Sequence, residues 1–343
     1  MHRSTLLSAT LLATAIPSTL VAQRPLFEQS STLDVTLRAP FRAMNADHDG
    51  RFSGLLVVTD VGVQDSIPLD LTLRGKARLR TGICEFPGIM LFFDDATEGT
   101  PFEGQSALPM VTHCNDRDEN EQFMLLEYNI YRAYNVLTDL SLAVRLARVT
   151  YIDSESERPV ATRYGFFNEH WDHLAERSEW TYVRAPVIPP EAYDTEQRGI
   201  FEVFQYFIGN TDWSFAFAAP DDDYCCHNAT PIGNPAGPVF PVPFDFDQAG
   251  VVDPPYAKPD GTLGIRNVRQ RLYRGICGSA EDLQRTFELF RTRREELYDV
   301  IEGSEQLSAR SKSRTVSYFD DFFSTIDNGR QVNREFTNKC RTN

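Results

Sequence analysis

The chain predicts an α+β protein, with a β-rich N-terminal part and a helical C-terminal part. Three observations carry that expectation. Residues 33–37 and 67–73 alternate apolar and polar side chains at period two, the signature of half-buried strands. Residues 120–137 and 199–208 place apolar side chains at helical spacing. Beyond residue 279, two further stripes repeat at the same spacing, through Leu283, Phe287, Phe290, Leu297 and Ile301, then Val316, Phe319, Phe323 and Ile326.

Taken in order, the first 22 residues read as a secretory signal peptide. His2 and Arg3 give a positive start, an apolar run follows, and Ala22 offers a small residue at the cleavage point. The run is shorter than the about 20 residues that a membrane span needs. Residues 23–80 are expected to be a β-rich region and 81–343 the main domain. Residues 45–50 imitate the start of a calcium loop, but Leu56 stands where a bidentate Glu is required, so they read as a turn. Residues 86–93 and 107–114 are expected as strands, and so are 140–152 and 162–167. On the helix between these pairs, Glu127 shares the apolar face with Phe123, Leu126 and Ile130. A carboxylate there either reaches solvent at the stripe's edge or needs a partner. Residues 183–190 form a proline-rich connector, and 239–244 a short apolar run. Ser279 with Asp282 caps the helix that follows.

Composition narrows the function. A net charge of −15 argues against a nucleic-acid binder, which needs cations to displace counterions from phosphates. No segment is long and apolar enough to predict a membrane span. The six cysteines of an exported chain favour disulfides over zinc, because no C-x-x-C pair occurs and Cys225 and Cys226 are adjacent. The expected location is secreted or periplasmic. Lysine occurs only at 76, 258, 312 and 339, so arginine carries nearly all the positive charge.

Polar residues concentrate after the 199–208 helix: Asn210, Asp212, Asp221 to Asp223, His227 and Asn228. The next apolar run ends in Asp245-Phe246-Asp247, where period two can turn both carboxylates to one side. Hard oxygen donors of this type suit magnesium or manganese. An acid after a helix, an Asn, and acids at a strand end follow the order of parts in a phosphoryl-transfer site.

The segments 204–214 (FQYFIGNTDWS), 226–228 (CHN) and 243–247 (PFDFD) resemble the spore-coat CotH kinase family, in particular its exported bacterial relatives. The segments 74–75 (RG), 84–87 (CEFP), 111–114 (VTHC), 126–132 (LEYNIYR), 165–169 (GFFNE) and 268–275 (VRQRLYRG) fit the same relatives, so the resemblance covers residues ~70–280. It implies an atypical protein-kinase-like bilobal fold and phosphoryl transfer from ATP, with Mg or Mn, to a protein substrate's hydroxyl outside the cytoplasm. It makes Asp212 the catalytic base, Asn228 a metal ligand, and Asp245 or Asp247 the metal-binding Asp. Glu127 becomes the helix Glu and Glu169 a residue near the adenine.

Two departures matter. No lysine lies on the strand that should pair the phosphates, so His113 or an arginine from elsewhere would stand in, and neither is equivalent to lysine. Asn228 also follows Asp212 by more residues than a kinase catalytic loop allows, so the intervening segment must loop out. Two other readings use the same residues: a catalytically inactive scaffold or nucleotide-binding protein of that architecture, and a metal-dependent hydrolase built on Asp212, Asp245 and Asp247.

Overall fold

A computed structural model describes residues 25–342 apart from 61–62, 76–78, 80–81, 95–96, 219–222 and 235. The expected signal peptide, Lys76 and Asp221-Asp222 lie outside the described residues. Strands β1 (Leu33–Ala39), β2 (Phe52–Asp60), β3 (Val63–Leu73), β4 (Ile89–Phe93), β5 (Ala107–Val111), β6 (Val144–Asp153) and β7 (Arg158–Asn168) close into a barrel in the order β1-β2-β3-β4-β5-β7-β6. Every pairing is antiparallel except β1 with β6, whose parallel register sets Val35 against Val149.

The alternation read from the sequence is the barrel's inside and outside. Leu33, Val35, Leu37 and Ala39 all point inward and are buried, and so are Leu56, Val58, Ile67, Leu69 and Leu71 on the next two strands. These side chains join Leu91, Leu108, Val149 and Phe167 in one core. Arg145 is also fully buried. Its Nη1 donates to the Leu26 carbonyl at 3.0 Å and its Nη2 to the Ser31 hydroxyl at 3.2 Å, which ties the segment before β1 to β6.

The closed barrel corrects the expected bilobal kinase-like fold, although the α+β class holds. Residues on both sides of position 80 contribute strands to the same sheet, and the β1–β6 pairing that closes it joins segments more than a hundred residues apart. Period two identifies a strand and its faces but does not name its neighbour. That is why the closure was not legible.

A second core lies outside the barrel. Helix α1 (Pro25–Glu28) and α2 (Phe41–Ala46) are short; α2 takes in Asn45 and Ala46 of the turn expected at 45–50, and the turn itself is confined to His48 and Asp49. The long helix α3 (Asp118–Leu137) packs on β6 and β7 by one side and on the C-terminal helices by the other, and its buried residues run nearly all round it. Asp118, Glu119 and Glu121 sit in its first turn, where negative charge complements the helix dipole. Helix α4 (Trp171–Arg177) follows the barrel, and α5 (Thr195–Ile208) runs through the middle of the second core. Against α5 pack α6 (Ala280–Thr292) and α8 (Ala309–Ile326), while α7 (Arg294–Glu302), between them in sequence, packs on α3. The single stripe expected from Leu283 to Ile301 is two helices, broken at Arg293. A small three-stranded sheet, β8 (Thr181–Tyr182), β9 (Ala229–Gly233) and β10 (Val239–Pro243), completes the fold.

All six cysteines pair: Cys84 with Cys114, Cys225 with Cys226, and Cys277 with Cys340. Such bonds fit an oxidising compartment. Among the described residues no helix is long and apolar enough to cross a membrane. The Cys277–Cys340 bridge closes a loop of 63 residues. In the chain-entropy account its removal costs about 4 kcal/mol. The Cys277→Ser/Cys340→Ser protein should show that loss in urea unfolding, and a loss under ~1 kcal/mol would contradict this use of the bridge.

Candidate functional site

The site begins where α5 ends. Asp194 caps the start of that helix by accepting from Gln197 N at 2.9 Å. Gly209 ends it at φ 69°, a left-handed conformation in which a Cβ would strike the Tyr318 hydroxyl, so glycine is required. Arg271 lies over the Tyr318 ring at 3.6 Å and donates to the Tyr206 and Phe207 carbonyls, satisfying groups that the helix end leaves open. The chain then turns on Asn210, which is buried. Its Oδ1 accepts from Asp212 N at 2.9 Å, and its carbonyl accepts from Trp213 Nε1 at 3.1 Å. Arg274 holds the other side of the turn, donating to the Thr211 carbonyl and to the Trp213 carbonyl at 2.9 Å. Burial and Arg341 lower its pKa to about 10, while Asp212 and Asp260 oppose the shift.

This framework presents the Asp212 side chain at the surface, 37% exposed. Asn228 is 16 residues further on, yet its Nδ2 donates to the Asp212 carbonyl at 2.7 Å and to Asp212 Oδ2 at 3.1 Å. The described ends of the intervening segment come together. Ser214 and His227 exchange backbone hydrogen bonds at 2.9 and 3.0 Å, and the Cys225–Cys226 bridge and buried Phe215 fill the base of the loop. Gln248 Nε2 donates to Asp212 Oδ2 at 3.1 Å, and His227 Nε2 meets Asp212 Oδ1 at 2.9 Å.

The β9–β10 hairpin brings the remaining acids close. Ala229 pairs with Pro243, so Asn228 and Phe244 leave the hairpin at one end, joined by Phe244 N donating to the Asn228 carbonyl at 3.2 Å. Asn228 and Asp245 both have left-handed backbones, at φ 51° and 56°, which Asn and Asp tolerate better than other non-glycine residues. Asp245 N donates to the Tyr131 hydroxyl of α3 at 2.8 Å. Burial, then the charges of Glu127 and Asp245, push the Tyr131 hydroxyl up, and Arg74 opposes them. Tyr131 therefore stays protonated at neutral pH, surrounded by two acids and an arginine.

Asp247 and Glu127 are buried and line one narrow cleft with Thr112, His113, Asn120 and Tyr256. The cleft holds about one water molecule. Glu127 does not reach solvent at the edge of its stripe, because α3 is covered on both sides. His113 packs between Phe86 and Tyr151, with ring centroids 4.6 and 5.4 Å away. Burial is the main cause that lowers its pKa to about 4, so the ring is neutral at neutral pH and supplies no cation to a phosphate. Arg74 is the cation whose charge reaches the Tyr131 group.

Glu169 lies elsewhere, in a buried pair. Arg177 Nε and Nη2 donate to its two oxygens at 2.8 and 3.0 Å, and Ala143 N adds a third bond at 3.0 Å. Asp212 and Asn228 thus meet directly, Asp245 shares the hairpin end with Asn228, and Asp247 lines the same cleft as Glu127. His227, Gln248, Tyr131 and Arg274 were not assigned roles from sequence. The signals for them were adjacency: His227 precedes Asn228, and Gln248 follows Asp247. Among the described residues no three His, Cys, Asp or Glu side chains gather as a ready metal cluster. No protein-family model and no curated protein matches the chain.

Proposed function

We propose that the site at Asp212 transfers the terminal phosphoryl group of ATP to a hydroxyl of a protein substrate outside the cytoplasm. The observation that carries this reading is the state of the Asp212 carboxylate. An ionised carboxylate offers about four lone-pair positions. Asn228 and Gln248 occupy two on Oδ2, and His227 one on Oδ1. One position on Oδ1 is left at the exposed side, oriented by three neighbours and able to accept a single hydroxyl proton. In the transfer the acceptor oxygen bonds to phosphorus, the bond to the ADP oxygen breaks, and the acceptor's proton passes to Asp212.

The donors present fit magnesium or manganese, which needs only one or two carboxylates when substrate phosphates supply further oxygens. Asn228 directs its amide nitrogen at Asp212, leaving Oδ1 for a cation, and Asp245 stands at the same hairpin end. Asn228 with Asp245 or Asp247 would hold the metal, which when bound would supply charge neutralisation on the phosphates. Export is supported by the apolar N-terminal segment and by the three cystines.

A second reading, an inactive nucleotide-binding or scaffold protein, is favoured by one observation. The Glu127–Asp247 cleft is narrow, and its histidine is neutral. Thermal-shift titration with ATP, with and without Mn²⁺, tests the binding both readings invoke. The proposed activity predicts a Tm rise that requires Mn²⁺ and is lost in Asp245→Ala/Asp247→Ala. No rise under any metal condition would sink it.

A further inference from the structure

We infer that the arginine-lined cleft between α8 and the chain that follows it is a binding site for a phosphate-class oxyanion, separate from the Asp212 site. The cavity has a volume of about 320 Å³, and Tyr206, Arg269, Arg271, Tyr318 and Arg334 line it. At about 30 Å³ per water, a tetrahedral anion fits with part of its hydration. Asp212, Asn228, Asp245 and Asp247 are not among its walls.

Two independent observations point to an anion. The first is a guanidinium fixed in place with one nitrogen left over. Arg271 Nε donates to the Tyr206 and Phe207 carbonyls at 3.1 and 3.2 Å, and Nη2 to the Phe207 and Tyr318 carbonyls at 3.0 and 2.5 Å. The Tyr318 ring backs the group at 3.6 Å. These bonds leave Nη1, and their acceptors are neutral carbonyls, so they satisfy donors without cancelling the charge. Arg269 lies over the same ring at 5.1 Å, and Asp253, which it meets at 3.8 Å, is shared with Arg314 at 3.1 Å. Arg334 pairs with Glu335 through Nε at 2.6 Å, which leaves both its terminal nitrogens. Three arginines thus line the cavity with two acids, Asp321 and Glu335, in a chain of net charge −15.

The second observation is Tyr206, which is 4% exposed and lines the cavity. No hydrogen bond joins its hydroxyl to the described residues, and the oxygen is not sealed into the core. Burial pushes this hydroxyl up, and the charges that act on it are Arg271, Glu335, Tyr318 and Arg334, all of them cavity walls. The hydroxyl therefore ends among the guanidinium groups, where an anion's oxygen would accept its proton. A pinned guanidinium, a second arginine with open terminal nitrogens and a hydroxyl form a donor set that recognises phosphate oxygens.

Thermal-shift titration of the full chain with inorganic phosphate in metal-free buffer, against sodium chloride at equal ionic strength, tests the site. Low millimolar phosphate avoids the general stabilisation that excluded salts bring. The unaltered chain should gain Tm with phosphate concentration. Arg334→Ala, at an exposed position, should weaken the apparent affinity about tenfold, or ~1.4 kcal/mol. Tyr206→Phe removes only the hydroxyl and should weaken it about fivefold. The Arg334→Ala/Tyr206→Phe protein should show no gain. These variants carry the test because Arg271 also holds the end of α5, so Arg271→Ala would disturb folding as well. Asp212→Ala should keep the full gain without Mn²⁺, which separates this site from the phosphoryl-transfer reading. Tighter binding of phosphoserine than of inorganic phosphate would assign the site to phosphate esters, and the reverse order to the free anion. A response that is absent in the unaltered chain, or undiminished in the double variant, overturns the inference.

Discussion

Asp212→Ala is expected to lower phosphoryl transfer about a thousandfold while leaving ATP affinity within a few-fold of the unaltered chain. The asymmetry follows from what the carboxylate touches. Its oxygens face Asn228, Gln248 and His227 and one exposed position, so its loss removes the acceptor's proton sink. The nucleotide's charge would be met by the metal and by residues around Asp245 and Tyr131, which alanine at 212 leaves in place. Losing the carboxylate also strands two amide donors, a cost of about 1–3 kcal/mol that urea unfolding should detect. Single-turnover rates at saturating ATP separate the effects. An equal loss of binding and rate would mean that Asp212 holds the nucleotide rather than the acceptor.

Arg177→Ala should be among the most destabilising single changes, at about 3–5 kcal/mol. Arg177 holds both oxygens of buried Glu169 and donates to the Asp139 carbonyl at 3.2 Å and the Ser141 carbonyl at 2.7 Å. Alanine leaves a carboxylate that is 3% exposed with only the Ala143 N–H. The double change Glu169→Ala/Arg177→Ala should recover part of that loss, because the unpaired buried charge is gone. Chemical denaturation of the two variants measures it. A double variant as unstable as the sum of its singles would show that the two residues act independently.

How much the sequence revealed depends on the range of the interaction. The helices at 118–137 and 195–208 were legible because burial on one side imposes a local repeat. The strands were legible for the same reason, but the seam between β1 and β6 was not, since nothing in residues 33–39 names residues 147–153 as partners. In the candidate site, Asp212 and Asn228 hydrogen-bond despite their separation in sequence, and the Ser214–His227 return explains how. Gln248 and Tyr131 escaped notice because their roles depend on where a hairpin end meets α3. The parity that put His113 on the strand face of position 109 does not apply, because β5 ends at Val111 and His113 lies beyond it, packed against Phe86 and Tyr151.

Product formation from ATP tests the central claim most directly. The purified chain, incubated with ATP, Mn²⁺ and a library of hydroxyl-bearing peptides, should form ADP and phosphorylated peptide in equal amounts, followed by mass spectrometry. Omission of Mn²⁺ should stop both, and Asp212→Ala should reduce both together. ADP without phosphopeptide would make water the acceptor and the protein a hydrolase. No ADP and no phosphopeptide, from a chain that still shows Mn²⁺-dependent stabilisation by ATP, would contradict phosphoryl transfer and leave a nucleotide-binding scaffold.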